Sequence, residues 1–390
     1  MNYILFDGEY RNNLLPLTYT KPVADLRIGI LTIREKWEKW LDSSTTTVTE
    51  DYLSDKFPMV EMEENVMINA SVLPCGDLVE LIKELSPSQA IYKGDELLAF
   101  FAKEDEDVDF NTFESIEFQG EILQIKHNWD LFTHNGEALE ADFELITKGR
   151  KSAPIPAAVH CINKKRIFLE ADVDINIAVL NASKGAIYIG EHAEVQEGSM
   201  IRGPFAMGEH SVVKMGTKVY GPTTLGPKSK IGGEVNNAIL SGYCSKGHDG
   251  YLGNAVIGEW CNLGADTNNS NLKNNYAEVK IWEYSQEKFV NTGLQFCGLI
   301  MGDHSKCGIN TMFNTGTVIG VSANIFGSNF PRNFIPSFSW GGASGFITYA
   351  LDKASETADL VMNRKNEDYT EEDRKIMKHI FEITSKYRTK

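Results

Sequence analysis

The stretch IGEHAEVQEGSMIRGPFAMGEHSVVKMGTKVYGPTTLGPKSKI, residues 189–231, carries an apolar residue at every sixth position. Most repeats also place a small residue four positions after the apolar one, and glycine often follows the apolar residue directly. The repeated residues are Ile189, Val195, Ile201, Met207, Val213, Val219, Leu225 and Ile231. A period of six fits neither an α-helix nor a simple strand.

This period is typical of a chain that coils with flat sides about six residues long, each of which points one apolar residue inward. Three sides complete a turn, and stacked turns bury a continuous interior column that no single repeat could bury alone. The sequence therefore predicts a left-handed parallel β-helix. A weaker register precedes it at Ile167, Val173 and Val179. The rhythm resumes downstream at Leu252, Ile257, Leu263, Met301, Cys307, Phe313, Ile319 and Ile325.

The segments on either side of the coil have other patterns. Residues 265–297 lose the period and are predicted to form a loop thrown out from one corner. Residues 1 to about 150 alternate short apolar runs with helical patterns, which predicts an α/β domain. In the tail, Thr370 is the expected N-cap of a helix that presents Ile376, Ile380 and Ile383 on one face.

Domain boundaries follow from these patterns and from Pro154 and Pro156, which interrupt local structure in a basic segment. We predict an α/β domain over 1–155, a β-helix over 165–345 and C-terminal helices over 346–390.

Composition limits the function classes. The 390 residues carry a formal charge of -16, which opposes non-specific binding to nucleic acid. The longest apolar runs fall short of a membrane-spanning helix, and the first residues do not resemble an export signal. Six cysteines are scattered without a C-x-x-C pair, a pattern that favours reduced thiols and a cytoplasmic protein.

The run LLPLTYTKPVADLRIG, residues 14–29, follows the strand YILFDG and resembles the sugar-phosphate nucleotidyltransferases. With the hexad coil behind it, the chain is similar to the bifunctional N-acetylglucosamine-1-phosphate uridyltransferase/glucosamine-1-phosphate acetyltransferase family. The resemblance implies that Arg11 and Lys21 contact the phosphates of a nucleoside triphosphate and that Mg²⁺ assists. The sequence departs from the family where Asn69 and Ala70 replace a magnesium-binding pair. Its loop DGEYRNN also has one glycine.

The segment KGHDGYLGNAVIGEWCNLGADTNNSN, residues 246–271, is similar to the acetyltransferase site of the same family. The resemblance places His248 on the catalytic base and Tyr251 and Asn271 on substrate-binding positions. Ala265 and Thr267 fall on the turn that approaches acetyl-CoA. Imidazole suits this role because it can accept the proton of an attacking amine near neutral pH.

The implied acceptor is an amino-sugar phosphate, but the family's phosphate-binding cations are replaced here by Tyr220 and Asn236. Lys214 is our candidate for the missing charge, and Arg202 is the alternative. The resemblance also implies a homotrimer, because related enzymes build each site between neighbouring coils.

Two other functions remain open at this stage. The first is a zinc site, since His192, His210, His248 and His304 all fall in the coil, and carbonic anhydrases of this fold bind metal through three histidines between subunits. The second is a catalytically degenerate relative that binds a sugar nucleotide or regulates a partner, which the substitutions at 69, 220 and 236 favour.

Overall fold

A computed structural model describes residues 1–104 and 108–388 of the chain. The chain packs into two compact units. The first comprises Met1–Leu14, Thr20–Leu26 and Leu31–His127, and the second comprises Leu15–Tyr19, Arg27–Ile30 and Asn128–Lys390. Within the two described ranges, none of the helices has the length and apolar character that crossing a membrane requires.

The first unit is built on a mixed sheet, parallel at both edges and antiparallel between them. Its strands in spatial order are Thr45–Val48, Asn2–Phe6, Glu64–Asn69, Glu96–Lys103, Gln89–Lys93 and Glu114–Glu117. Its helices are α1 (Ile33–Leu41), α2 (Asp51–Ser54) and α3 (Gly76–Lys83), with 3₁₀ turns at Glu9–Leu14, Val23–Asp25 and Phe110–Thr112. Thr32 and Glu35 cap α1 reciprocally, which satisfies backbone N–H groups at its start. These elements confirm the predicted α/β domain.

The second unit is a parallel β-helix with three faces. Strands of the first face are His160–Ile162, Val179–Asn181, Met200–Arg202 and Lys218–Tyr220. Strands of the second face are Ile167–Leu169, Ile187–Ile189, Phe205–Met207, Thr223–Leu225, Leu299–Met301, Thr317–Ile319 and Phe334–Ile335. Two long strands, Glu234–Leu240 and Tyr251–Ile257, turn the corner between these faces and pair with both.

The third face consists of shorter strands. They are Asp174–Ile175, Glu194–Val195, Val212–Val213, Lys230–Ile231, Ser245–Lys246, Asn262–Leu263, Lys306–Cys307, Asn324–Ile325 and Ser339–Gly342, with Gly345–Thr348 added antiparallel at the end. Asn268–Asn269 pairs separately with Met312–Phe313. The ladders are parallel because each strand meets its equivalent in the next turn.

All eight hexad residues of 189–231 are buried in one apolar cluster, as are the eight downstream positions. The predicted coil is therefore confirmed. The upstream register is wrong at Val179, which pairs with the exposed Met200, while its neighbour Leu180 pairs with the interior Ile201. On the third face, Ile175 rather than Val173 continues the column below Val195.

The loop predicted for 265–297 begins later than expected. Thr267 is buried, and Asn268–Asn269 still forms a rung of the coil. The rest contains a hairpin of Lys280–Glu283 and Lys288–Asn291. The turn that contains this insertion runs from Ile257 to Met301, and these two residues pair directly.

The remaining elements of the second unit are helical. Helices α4 (Asp130–Thr133) and α5 (Asn135–Thr147) precede the coil, and α6 (Leu351–Asn363) and α7 (Glu371–Ile383) follow it, with 3₁₀ turns at Lys164–Arg166 and Ser385–Tyr387. Thr370 caps α7 as predicted, through a capping box with Asp373. Ile376 and Ile380 are buried, but Ile383 is exposed, so the predicted apolar face ends one turn early.

Candidate functional site

His248 lies at a corner of the coil, two residues after the strand Ser245–Lys246. Its side chain is exposed and lines a cleft of about 270 Å³. We call this the His248 cleft; it is lined by Gln196, Lys214, Met215, Gly232, Gly233, Gly247, His248 and Asp249. The imidazole is therefore outside the interior column, and Lys214 from an earlier turn shares its cleft.

The corner that carries His248 needs glycine at position 250. Gly250 has a φ of +115°, and a Cβ there would lie 2.1 Å from the carbonyl oxygen of Thr267 in the next turn. Any other residue would have to push the two turns apart. This close approach fixes the path of the chain between His248 and Tyr251.

Tyr251 and Asn271 form a second group, joined by hydrogen bonds. The Asn271 amide donates to the Tyr251 hydroxyl at 2.9 Å and to Asn254 Oδ1 at 2.8 Å. The Asn236 amide lies 3.5 Å from the same hydroxyl. Asn236 therefore belongs to a neutral amide and hydroxyl cluster that can hold sugar hydroxyls but offers no charge to a phosphate.

Tyr220, the other substituted position, donates a hydrogen bond to the Glu234 carboxylate. That bond, together with burial, raises the pKa of the Tyr220 phenol above its ordinary value. A phenol and a carboxylate thus stand where the resemblance implies a cation.

The turn predicted to approach acetyl-CoA has an inward and an outward residue. Thr267 is 1% exposed, and its hydroxyl donates to the Gly308 carbonyl at 3.4 Å. Ala265 is half-buried, and its carbonyl accepts the Asn310 N–H at 2.7 Å. Thr267 is therefore enclosed by the coil, and Ala265 is the more accessible residue of this turn.

Lys246 is a residue that the sequence analysis missed. It pairs in register with Ile231 in the interior column of the third face and is 1% exposed. Its Nζ donates to the carbonyls of Gly232 and His248, both at 2.9 Å. Burial lowers the pKa of this ammonium to about 8. The signal for its interior position is the six-residue spacing between Lys246 and Leu252, which is the period of the column.

Arg11 and Lys21, the predicted phosphate contacts of the first unit, are both buried rather than surface charges. Arg11 Nε donates to Asp7 Oδ2 at 3.0 Å, and Arg11 also donates to the Tyr52 hydroxyl at 3.0 Å. Asp7 further accepts the N–H of Val23 and the hydroxyl of Thr49. Burial nevertheless raises the pKa of Asp7, against the opposing effect of these donors. Arg11 is thus engaged within the fold.

Asn69 does not fit a magnesium site. Its Oδ1 accepts hydrogen bonds from the N–H and the hydroxyl of Ser71, and its amide donates to the Leu97 carbonyl. A hard cation requires oxygen ligands with free lone pairs and favours carboxylates. The Asn69 oxygen is neutral and already accepts two donors, so no step is assigned to a metal here.

The coil histidines do not meet as a set of three. His192 and His210 stack with ring centroids 4.9 Å apart, and His304 stacks on Trp260. His192 also lies near Asp172 and Glu191, at 3.9 and 3.7 Å. These three side chains are exposed. His248 belongs to its own cleft, so these histidines do not form a three-histidine group among the described residues of one chain. A zinc site shared between subunits stays a prediction.

Comparison with known proteins gives the family of the first part of the chain. Residues 3–151 match the family model described as Sugar nucleotidyl transferase. This part of the chain is similar to sugar nucleotidyl transferases. This confirms the resemblance on which the sequence analysis relied.

The curated relatives are named as bifunctional proteins. The chain is 34% identical over 145 residues to a bifunctional sugar-1-phosphate nucleotidylyltransferase/acetyltransferase of Sulfurisphaera tokodaii, covering 37% of this chain and 36% of that protein. It is 34% identical over 87 residues to the bifunctional protein GlmU of Methanocaldococcus jannaschii, covering 22% and 21%. The chain therefore matches about a third or less of the length of these relatives.

A solved structure of an Arabidopsis UDP-N-acetylglucosamine acyltransferase covers 55% of this chain and 80% of its own, at 15% identity and a TM-score of 0.27. A score that low carries no argument about function.

The lowered pKa of Lys246 makes a prediction about stability. Between about pH 8 and 10.5 the unfolded chain still holds the lysine proton that the folded chain has lost, so the folded state gains stability as pH rises. At about 1.4 kcal/mol per pKa unit, the free energy of unfolding of the wild type should rise by about 3 kcal/mol relative to Lys246→Met over this interval. Urea unfolding of both proteins from pH 7 to 10.5 measures it. If the free energies of unfolding of the wild type and Lys246→Met changed with pH in parallel, burial would not destabilise the Lys246 ammonium.

Proposed function

We propose that the chain is a transferase of sugar-nucleotide biosynthesis whose coil transfers an acetyl group from acetyl-CoA to the amine of an amino-sugar phosphate. The observation that carries the proposal is the exposed imidazole of His248 in a cleft walled by glycine-rich turns. In the reaction, the amine nitrogen attacks the thioester carbonyl carbon and His248 accepts the amine proton. The C–S bond of the tetrahedral intermediate then breaks, and the departing CoA thiolate takes that proton from the His248 imidazolium, which leaves the N-acetylated sugar, free CoA thiol and neutral imidazole. Acetyl-CoA is a co-substrate in this scheme.

Backbone N–H groups can stabilise the oxyanion that forms on the thioester carbon. Gly232, Gly233 and Gly247 line the same cleft, and their lack of side chains lets a ligand approach the backbone closely. Around the corner, the hydroxyl and amides of Tyr251, Asn254 and Asn271 can hold the sugar hydroxyls.

The most direct test is release of free thiol from acetyl-CoA in the presence of glucosamine-1-phosphate. His248→Gln should lower kcat by a factor of about 100 or more, because general-base catalysis typically contributes that much. Gln keeps a polar side chain of similar length, so loss of the base is separated from loss of packing.

His210→Gln is the matched control, since His210 is also exposed at a corner of the coil and lies outside the His248 cleft. Its kcat should equal that of the wild type. Absence of thiol release by the wild type with every amino sugar tried would contradict the proposal and favour the degenerate, sugar-nucleotide-binding alternative.

The phosphate of the acceptor is assigned to Lys214. It is the cation among the residues that line the His248 cleft, whereas Arg202 lines a separate groove with Lys218 and Tyr220. Tyr220 and Asn236 have side-chain partners of their own in Glu234 and Tyr251.

Lys214→Ala should therefore raise the KM for glucosamine-1-phosphate about tenfold or more while leaving the KM for acetyl-CoA within twofold, because a charged hydrogen bond contributes roughly 1.5–3 kcal/mol. Steady-state kinetics with either substrate varied measures both constants. Arg202→Ala is the control, and a larger effect there than at Lys214 would move the phosphate to the other groove.

For the first unit we propose binding of a nucleoside triphosphate or sugar nucleotide, in keeping with its family. Nucleotidyl transfer there is the stronger form of this proposal. The engaged Arg11 and the neutral Asn69 favour the weaker form, in which the unit binds a sugar nucleotide without transferring it.

Since all six cysteines are free thiols, we place the protein in the cytoplasm.

We also propose that the coils assemble as a homotrimer. The first face bears an apolar groove of about 450 Å³, and the exposed Met200 is one of its lining residues. Sedimentation equilibrium of the wild type should give three times the 43.5 kDa mass of the chain. Met200→Glu should lower that mass, because a carboxylate buried in an apolar contact is costly. A monomeric wild type at micromolar concentration would contradict the assembly.

A further inference from the structure

The interior column of the third face is apolar on both sides of a single lysine. Val213, Ile231 and Leu263 are buried there at equivalent positions, and Lys246 stands between Ile231 and Leu263 with 1% exposure. Moving an ammonium out of water into such a column is unfavourable, even when it is hydrogen-bonded. Packing alone would be better served by an aliphatic residue, so the lysine calls for another explanation.

Regular turns at this corner satisfy a backbone carbonyl with a hydroxyl. The Ser199 hydroxyl donates to the Gln196 carbonyl at 2.8 Å, and the Thr217 hydroxyl donates to the Lys214 carbonyl in the same way. Farther along, Thr311 donates to the Gly308 carbonyl at 2.8 Å. In each case the donor is three residues after the acceptor, which closes the corner from inside.

Two of the turns that line the His248 cleft, the one after Ile231 and the one after Lys246, lack this hydroxyl. The position equivalent to Ser199 is occupied by Gly250, whose φ and close approach to the next turn require glycine. The turn after Ile231 is shorter, because Val235 already pairs with Val219. Neither turn can therefore use the device that its neighbours use.

The Lys246 ammonium gives each of these turns a donor from inside the coil. At Gly232 it takes the place of the missing hydroxyl, and in the next turn it bonds the carbonyl one residue further along. It donates to Gly232 in one turn and to His248 in the next, at 2.9 Å each. Asp249 and Asp266 attract it, and the Cys307 thiol is the other titratable group that acts on it. One side chain inside the coil thus connects two turns that line the cleft, one of them through the backbone carbonyl of His248 itself.

We propose that Lys246 is a positioning residue: through the Gly232 and His248 carbonyls it fixes the corner that holds the His248 imidazole toward the acceptor amine. This proposal rests on the proposed acyl transfer at His248. It adds a residue that never touches substrate, because Lys246 is enclosed by the coil.

The test compares Lys246→Met with Lys246→Gln. Methionine matches the length of the lysine stem and removes the donors, whereas glutamine keeps an N–H donor without the charge. Lys306→Met is the control, since the partly buried Lys306 also donates to a histidine carbonyl, that of His304, at 2.9 Å, and His304 stacks on Trp260 rather than lining the cleft.

Lys246→Met should lower kcat for thiol release at least tenfold with the KM for acetyl-CoA within twofold, Lys246→Gln should recover part of the loss, and Lys306→Met should match the wild type. A wild-type kcat for Lys246→Met would overturn the proposal. A kcat for Lys306→Met as low as that of Lys246→Met would also overturn it, because any buried lysine would then have the same effect.

A structural readout separates this proposal from the proposed function. The amides of Glu234 and Asp266 donate to the Gly250 and Asp249 carbonyls at 3.2 and 2.9 Å, so their hydrogen exchange reports order in the corner. Lys246→Met should accelerate both at least tenfold and broaden or shift the His248 imidazole resonances, assigned with His248→Gln. These changes are expected even if the wild type transfers no acyl group, and unchanged exchange and resonances would overturn the positioning role.

If Lys246→Met fails to fold, the same measurements on Lys246→Gln decide the question. Failure of Lys246→Gln to fold as well would show that the lysine is needed for the coil itself and would overturn the narrower role proposed here.

Discussion

Burial of one apolar side chain per flat side, which only the next turn can complete, is the constraint on which the coil depends. A single rung exposes its inward residue to water on both sides, so stability accrues only as turns stack. The column from Ile175 to Ile325 is continuous because each inward residue lies in register with its equivalent one turn away. The parallel ladders follow from this stacking and require no separate sequence signal.

The constraint acts on the interior and leaves the corners free to vary. The turn from Leu225 to Leu240 is shorter than the turn from Met207 to Leu225, yet both pairs stay in register. A long segment is inserted between Ile257 and Met301 without disturbing their pairing. The His248 cleft lies at such an irregular corner, where one turn is shortened and Gly232, Gly233 and Gly247 line the open space. The proposed site thus lies where the repeat departs from regularity, and Lys246 keeps the interior closed at that departure.

In the first unit, the same residue types serve a different purpose from the one their motif implies. Arg11 and Asp7 form a buried ion pair at the end of the first strand, with Val23 and Thr49 completing the carboxylate's hydrogen bonds. A guanidinium held by a carboxylate can still orient a neighbouring group, but breaking the pair would leave a buried charge, which is strongly unfavourable. Residues 3–151 are therefore similar to sugar nucleotidyl transferases, while Arg11 and Asp7 within them are committed to the fold.

The sequence by itself determined the architecture, because the hexad and the apolar runs are local patterns whose physical meaning does not depend on distant residues. It also singled out the corner at His248, Tyr251 and Asn271, since a contiguous motif carries them. Only the tertiary structure decided which turns share a cleft, and it joined Lys214 to His248 and kept His248 apart from the stacked pair His192 and His210. It also decided the state of the charged residues. Arg11 and Lys246 look like surface charges in a linear chain, and their burial follows from neighbours that are remote in sequence or one turn away in space.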